Sequence, residues 1–573
     1  MSEVPSRSLR AALAQGGAAV AAWAEVLDRI NVFPVADGDT GRNLVLSLAP
    51  LRDAHAQEEA LLERLLLSAR GNSGNIGCAF VRALLDAKAG ASLGERCVAG
   101  AARAREAVAH PQPGTMLTVL DTLAEETQAG LDASRVPEIL QHLTRVVHLT
   151  RSAQASLRQA GVVDSGALGM LVFLEGALRS FFALADEDRL AASFGALARF
   201  DRRAAALPAQ AGVCIDAVVR LPVGATPPLA HLARLGTDVV VVRAGQLWKV
   251  HLHADDTGAA HSALTRMGEI VAWSWDDFQE QARDSPWVAS EGEAHVVTDG
   301  AASLSRRQAD ELGVTLLDSQ IDLGDRSLPE TQLDPDDLYR LMRRGMRVST
   351  AQASTHERHL HYQRLRAQWQ QILYLCVGSA YTGNYAVAEA WCARHDPDGR
   401  VRVLDSGAAS GRLAVVVRAT ALRARQGEDA VALAAFASAA LARAEEYIFV
   451  ECLDYLARSG RLSKTGARLG NALGLAPVVS PAPDGARRVA LLRNPEARVN
   501  FACAKVERAF ATMPRGHLLV EHTDNRAFVA GEVMPRLRAA APQADIELGA
   551  LSLTTGVHTG PGTWGVAFLP EQG

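Results

Sequence analysis

Asn31-Val-Phe-Pro-Val-Ala-Asp-Gly-Asp-Thr-Gly-Arg-Asn43 is the stretch on which the reading of this chain turns. Pro34 interrupts the helical pattern before it, because proline has no amide hydrogen to give to a helix interior. Gly38 permits a sharp turn, so the carboxylates of Asp37 and Asp39 can face one point. Gly41 and Asn43 then lead into an apolar run, Leu44-Val-Leu-Ser-Leu48, with a helical pattern. Hard cations such as Mg²⁺ take oxygen ligands, usually one or two carboxylates with substrate phosphates and waters. A glycine-flanked Asp-Gly-Asp suits that role and reads as a magnesium–nucleotide loop that is not a P-loop. Taken alone, Asp-Gly-Asp is better read as a plain Asx turn. The longer string favours the cation.

The full string resembles the nucleotide loop of the dihydroxyacetone kinase L-subunit (DhaL) family, in the form used by the kinase subunit of bacterial fatty acid kinases. Three further segments resemble that family in order. Ala69-Arg-Gly-Asn-Ser-Gly74 resembles its second glycine-rich phosphate loop, and Pro113-Gly-Thr-Met-Leu-Thr118 its nucleotide-contacting turn. Val163-Asp-Ser-Gly-Ala-Leu-Gly169 resembles its last loop, with Ala167 in place of a second glycine. The resemblance covers about the first third of the chain. It implies an all-helical barrel with the nucleotide loops gathered at one end. It also implies ATP and Mg²⁺ as cofactors, with Asp37 and Asp39 as the catalytic metal ligands and Asn31 a third candidate. Thr40, Gly41, Asn43, Asn72, Ser73, Gly74, Thr115, Met116, Asp164, Ser165 and Gly166 then fall among the phosphate and nucleotide contacts.

At 573 residues the chain is too long for one core, and its length points to about three to four domains. A composition 48% hydrophobic and 21% charged is that of an ordinary soluble globular protein. The net charge of -5 argues against nucleic acid or an anionic membrane surface as the main partner. No apolar run reaches the length of a membrane span, and the N-terminus lacks a signal-peptide core. Seven scattered cysteines with no Cys-x-x-Cys pair fit a reducing cytoplasm. There is no P-loop, no His-Glu-x-x-His, no Gly-x-Ser-x-Gly elbow and no Gly-x-Gly-x-x-Gly after a strand.

Residues 8 to about 185 read as helices, as in Glu58–Leu67 and Leu117–Ala124, with apolar residues every three or four positions. A charged, alanine-rich linker follows around 186–212. Strand patterns then appear at Val213–Arg220, Asp238–Arg243 and Leu247–His253, with helical segments at Pro228–Leu235 and Gly258–Met267. From Ala294, strand signals at His295–Thr298, Gln371–Val377 and Arg402–Asp405 alternate with helices, which argues for parallel βαβ units. Alanine-rich helical runs such as Asp429–Ala442 read as core packing. The domain limits are 1–188, 189–291 and 292–573. The fold class is multidomain: an all-α nucleotide domain, a small α+β middle domain and an α/β, two-lobed C-terminal domain.

Val297-Thr-Asp-Gly-Ala-Ala-Ser-Leu304 resembles the opening strand-turn of the DegV family, the fatty-acid-binding partner of the same kinases. Ser349–Ser354, Val377–Tyr385, Val403–Ser406, Leu453–Ser463, Leu473–Pro477 and Val557–Gly562 resemble its later landmarks in order. By position the resemblance implies head-group roles for Thr350, Ser379, Thr382, Arg493 and His558. A desolvated carboxylate needs several donors, and hydroxyls, a guanidinium and an imidazole supply them. Ala351, Ala353, Gly378 and Asn384 depart from the usual Ser, Pro, Ser and Thr, so the head-group loops are expected to be reshaped.

His251 and His253 lie at i and i+2 on a strand pattern, so they point to one face. With Cys214 they make a three-ligand Zn²⁺ set with an open fourth position, or else they are ordinary histidines of an exposed strand face. Val250-His-Leu-His-Ala-Asp-Asp-Thr-Gly258 resembles the signature of the fatty acid kinase middle domain, which implies a metal role for the set.

The chain thus resembles a fusion of the two halves of a fatty acid kinase. The reaction implied is ATP plus fatty acid giving acyl phosphate and ADP. Fusion raises the effective concentration of the two sites if the linker lets them meet; otherwise a homodimer is required. An acyltransferase that consumes acyl phosphate is the downstream partner. The rival readings are a non-catalytic lipid carrier or regulator, and a small-hydroxyl kinase of the dihydroxyacetone type.

Overall fold

The computed structural model describes residues 6–185, 189–201, 211–225, 229–278, 294–324, 326–458 and 476–571. The chain forms two compact units, Met1–Trp287 and Val288–Gly573. The expected boundary at 188/189, the one at 291/292, residues 186–188 and 202–210 of the expected linker, residues 459–463 of the Leu453–Ser463 landmark, and Leu473–Leu475 lie outside the described residues. Within the linker, Arg189–Phe194 is a helix and Gly195–Arg199 a 3₁₀ turn rather than irregular chain.

The first unit opens with helices α1 (Ser6–Arg29), α2 (Thr40–Leu48), α3 (Glu58–Ser68), α4 (Gly71–Leu85), α5 (Leu93–Ala107), α6 (Met116–Thr127), α7 (Val136–Thr150), α8 (Ala155–Ala160) and α9 (Ser165–Phe181). Nearly every residue of α9 is buried, which marks it as the central helix. It packs along α1 and against α6 and α7. Local capping sets the helix starts. Ser92 and Glu95 form a reciprocal capping box at α5, and the Asp164 side chain accepts from Ala167 N–H at α9.

The same unit continues into four antiparallel strands, β1 (Val213–Arg220), β2 (Thr237–Ala244), β3 (Leu247–Ala254) and β4 (Glu269–Asp277), in the order β2-β3-β1-β4. The sequence pattern anticipates the first three; β4 adds an edge it does not. Of the expected helix at Pro228–Leu235, the described part is a single turn, Leu229–Leu232. Alternation along β1 and β3 separates two faces. Val213, Ile215, Ala217, Val219, Val250 and Leu252 form an apolar core with Ala260 and Leu264 of the helix Thr257–Met267. The other face carries Cys214, Asp216, Lys249, His251 and His253, and all five are buried. The cause is packing on the helical region: Val240 and Val242 join Leu66, Ala79 and Ala107, and Val35 meets Cys214 and Phe278.

In the second unit a parallel sheet runs Val401–Asp405, Gln371–Cys376, Ala294–Asp299, Thr315–Leu317 in spatial order, in keeping with the βαβ expectation. A second sheet of six strands is mixed: Arg515–His522 and Asp545–Ala550 pair in parallel, the other neighbours antiparallel. It carries its own aromatic core, with Phe449 stacked on Trp564 at 4.0 Å. A small antiparallel sheet of Ser327–Pro329, Gln320–Asp322 and Ser349–Ala351 holds Thr350. The alanine-rich run is the helix Ala430–Arg443, with Leu433, Ala437 and Ala440 in the core.

Candidate functional site

The loop 31–43 is braced from within. Asn31 Oδ1 accepts from the N–H of Asp39 (3.1 Å) and Thr40 (3.2 Å), and its Nδ2 donates to Val35 O (3.1 Å). These bonds use the carboxamide oxygen that a cation would need, so Asn31 holds the loop's shape. Gly38 adopts φ 74°, and Asp39 stands at the N-cap of α2. Asp28, which the sequence reading did not single out, accepts from the N–H of Gly41 (2.6 Å) and Arg42 (3.1 Å). At Gly41 any Cβ would run into the backbone of Ala24, so only glycine lets α2 start this close to α1.

The four glycine-bearing loops meet at the ends of these helices. Thr40 Oγ1 lies 2.9 Å from Ser165 Oγ. Asp164 accepts from the N–H of Ala167 at 2.7 Å and from that of Met116. The Cβ position of Gly166 lies 2.8 Å from Ser73 Oγ and 3.5 Å from Met116 Cε, and that of Gly71 falls against the side chain of Asn43. Asn72 and Ser73 are half-buried on the first turn of α4, where Gly74 abuts Ser47. Thr115 caps α6. Burial pushes Asp164 up to about 7, although the Ala167 and Met116 amides oppose the shift. Burial also raises Asp39, against Arg42 and the Asn43 side chain; Asp276 adds to the rise and His251 opposes it. A divalent cation at Asp37 and Asp39 would relieve that cost.

Packing of Val35 on Cys214 and the bond from Gly71 N–H to Asp216 place the middle sheet at this site. Cys214, His251 and His253 offer ligand atoms that all lie within 4.8 Å of one another. Their burial removes the exposed-face alternative. Each imidazole has a carboxylate at Nδ1: Asp216 lies 3.5 Å from His251 and Asp238 lies 3.3 Å from His253. His251 Nε2 is buried with no hydrogen-bond partner. A thiol, two imidazoles and carboxylates behind them make a donor set that fits a borderline-soft cation such as Zn²⁺. Burial raises the Cys214 thiol well above its usual range, and Asp216, Asp39, Asp37 and Asp276 add to the rise. Asp276 faces Cys214 across β4 and β1.

Asp216 is the residue that sequence reasoning missed here. Its Oδ2 accepts from Gly71 N–H (3.0 Å) and its Oδ1 from Asn75 Nδ2 (3.1 Å), with Lys249 Nζ at 3.3 Å. Burial alone would raise its pKa; Lys249 and then His251 overcome that and hold it well below the usual carboxylate range. The two-residue strand period would have placed Asp216 on the face of Cys214, but nothing local names its partners.

In the second unit a cavity of about 270 Å³ lies between apolar walls that include Ile448, Leu456, Val479 and Ala486. Thr350, Thr382 and His558 line it, and Thr350 Oγ1 is 3.2 Å from His558 Nε2. Gln352, Ser410, Thr554 and Thr555 also line it and were not anticipated. Ser379 and Arg493 are exposed and absent from the lining; Ser379 N–H donates to Asp405. Two departures from the family pattern find reasons. The Cβ position of Gly378 lies 2.8 Å from Gly407 Cα, so a serine would collide there. Asn384 Nδ2 donates to buried Asp299 Oδ1 at 2.8 Å.

Three family models match in the order the motifs imply. Residues 34–179 match the DAK2 domain, 228–285 the FakA-like middle domain of fatty acid kinases, and 293–571 the DegV family of uncharacterised proteins. The chain joins these three domains in one polypeptide. Protein YloV of Bacillus subtilis is 29% identical over 295 residues, covering 45% of this chain and 52% of YloV. The chain thus spans about half the length of that relative. The DegV domain-containing protein YteA of Lactococcus lactis is 24% identical over 285 residues, covering 48% of this chain and 98% of YteA. A crystal structure of DegV from Bacillus subtilis, described as a fatty acid binding protein, aligns at TM-score 0.44 and 18% identity, covering 48% of this chain and 99% of that one. Among the described residues no helix is long and apolar enough to cross a membrane.

Proposed function

We propose that this protein phosphorylates a fatty acid held by its DegV-family domain, using ATP and Mg²⁺, and releases acyl phosphate and ADP. One observation carries the reading: four glycine-bearing loops distant in sequence meet at the first turns of α2, α4 and α9, and Asp39 caps α2. A cavity with a hydroxyl–imidazole pair supports the acyl half. The kinase-related domains and the fatty acid binding described for DegV relatives point the same way.

In this mechanism Asp37 and Asp39 would hold Mg²⁺, which would supply positive charge to offset that of the phosphates. Asn31 and Asp28 keep the loop in shape. Thr40, Gly41, Asn43, Asn72, Ser73, Gly74, Thr115, Met116, Asp164, Ser165 and Gly166 orient phosphates and nucleotide. Thr350, Thr382 and His558 position the acyl carboxylate. A carboxylate oxygen attacks the γ-phosphorus, and the bond to the ADP oxygen breaks. The carboxylate is already ionised at neutral pH, so no general base is required. Catalysis is mainly positioning and electrostatics. Cys214, His251 and His253 would hold Zn²⁺, which supplies positive charge beside the phosphate loops.

The test is ATP- and Mg²⁺-dependent acyl-phosphate formation, trapped with hydroxylamine across a panel of fatty acids. Asp39→Asn should lower turnover by roughly a hundred-fold or more, the scale of losing one preorganised electrostatic group. Wild-type protein that carries lipid yet forms no acyl phosphate would sink the kinase reading and leave a lipid carrier. Mixing Asp39→Asn with His558→Ala and recovering activity would place the two half-sites in different chains.

A further inference from the structure

Asp216 stands between two groups of candidate ligands. On one side it accepts from Gly71 N–H and Asn75 Nδ2, both on the helix that carries Asn72, Ser73 and Gly74. On the other it faces His251 Nδ1 at 3.5 Å, an atom that also lies 3.8 Å from Cys214 Sγ. The opposite ring nitrogen, Nε2, is the buried one with no partner. A carboxylate against Nδ1 keeps the proton there and leaves the Nε2 lone pair for a cation. Asp216, Lys249 and His251 are all buried, so water does not screen these contacts.

We infer that Asp216 couples the cation set to the second phosphate loop, so that a borderline-soft divalent cation at Cys214, His251 and His253 and a nucleotide at α4 strengthen each other's binding. The inference rests on the reading of the Cys–His set as a metal site. A cation on Nε2 makes the Nδ1–H a stronger donor and fixes the Asp216 carboxylate. Asp216 in turn fixes Gly71 and Asn75, and with them the start of α4. A nucleotide that orders this turn holds Asp216 against His251 and prepares the imidazole for the cation. Such coupling is reciprocal by thermodynamic necessity. Asp216 touches neither reacting atom in this scheme; it is a positioning residue.

The experiment uses the full chain, stripped of metal. Zinc is titrated against a chromophoric chelator with and without saturating ADP and Mg²⁺, and ADP is titrated by calorimetry with and without zinc. In wild type, ADP should tighten zinc about five-fold or more, and zinc should tighten ADP by the same factor. In Asp216→Asn each ligand should still bind, with the factor reduced to one. Asn75→Ala removes one of the two bonds from Asp216 to α4, together with the Asn75 Nδ2 bond to Gly71 O, and decides the matter if Asp216→Asn does not fold: zinc should bind as in wild type with a smaller factor. A wild-type factor of one, antagonism, or a factor that survives in both variants overturns the inference while leaving the metal reading intact. Zinc that fails to bind, or that binds equally well to Cys214→Ala, overturns the metal reading and the inference with it.

Discussion

Asp216 in the first unit and Asp299 in the second are both buried carboxylates that hold a loop bearing candidate site residues. Asp299 accepts from Arg358 Nη1 (3.1 Å), Tyr374 OH (2.8 Å), Asn384 Nδ2 (2.8 Å) and Val377 N–H (2.8 Å), and so fixes the turn that carries Thr382. Asp216 does the same for the start of α4, but its cationic partners are Lys249 and His251. The difference lies in those cations. Arginine holds a carboxylate with a rigid planar fork of donors, whereas lysine is a point charge on a flexible stem and histidine keeps a second ring nitrogen for another partner. The Asp299 cluster is therefore a fixed brace. The Asp216 cluster ends on a buried ring nitrogen with no hydrogen-bond partner.

Removing each carboxylate tests that contrast. Asp299→Asn leaves Arg358 charged and buried without its counter-ion, and should cost about 3–5 kcal/mol in chemical denaturation of the second unit. Asp216→Asn should cost less, about 1–3 kcal/mol, the scale of the buried hydrogen bonds that are lost. Equal losses would erase the distinction between the two clusters. His558→Ala removes the imidazole partner of Thr350 in the cavity. It should weaken binding of a fluorescent fatty acid by about ten-fold, the equivalent of one good hydrogen bond, with little change in stability. Unchanged affinity would take the acyl head-group away from Thr350.

A further test concerns pH. Burial holds Asp164 at about 7, above its ordinary 3.8. A raised carboxyl favours the folded state while protonated. That contribution is complete below about pH 4 and is lost as pH rises through about 7. Without nucleotide or cation, wild type should therefore lose stability relative to Asp164→Asn between about pH 4 and pH 7, which paired denaturation curves would read. A difference that stays flat or rises would mean the carboxyl ionises freely in the folded protein.

Much of the site was legible because its chemistry is local. A turn needs Gly38, a cap needs Asp164, and a close helix contact needs Gly41, whatever the rest of the chain does. The strand period likewise put His251 and His253 on one face. What stayed hidden were partners with no sequence proximity. Asp216 and Gly71 are 145 positions apart, and only the docking of the middle sheet on α4 joins them. The exposure of Arg493 was hidden for the same reason: its place at the end of the strand Gly485–Leu492 says nothing about which face borders the cavity.

By itself the sequence determined the helices of the first unit, most of the parallel strands of the second and the short segments that carry Asp37, Asp39, Thr350 and His558. Periodicity and turn chemistry act over a few residues and are written in those residues. Only the tertiary structure decided that the Cys–His set belongs beside the Asp37–Asp39 loop, and that Asp216 and Asp299 are the braces. Those are outcomes of which buried faces meet, and burial gives a carboxylate its strength only once its partners are packed around it.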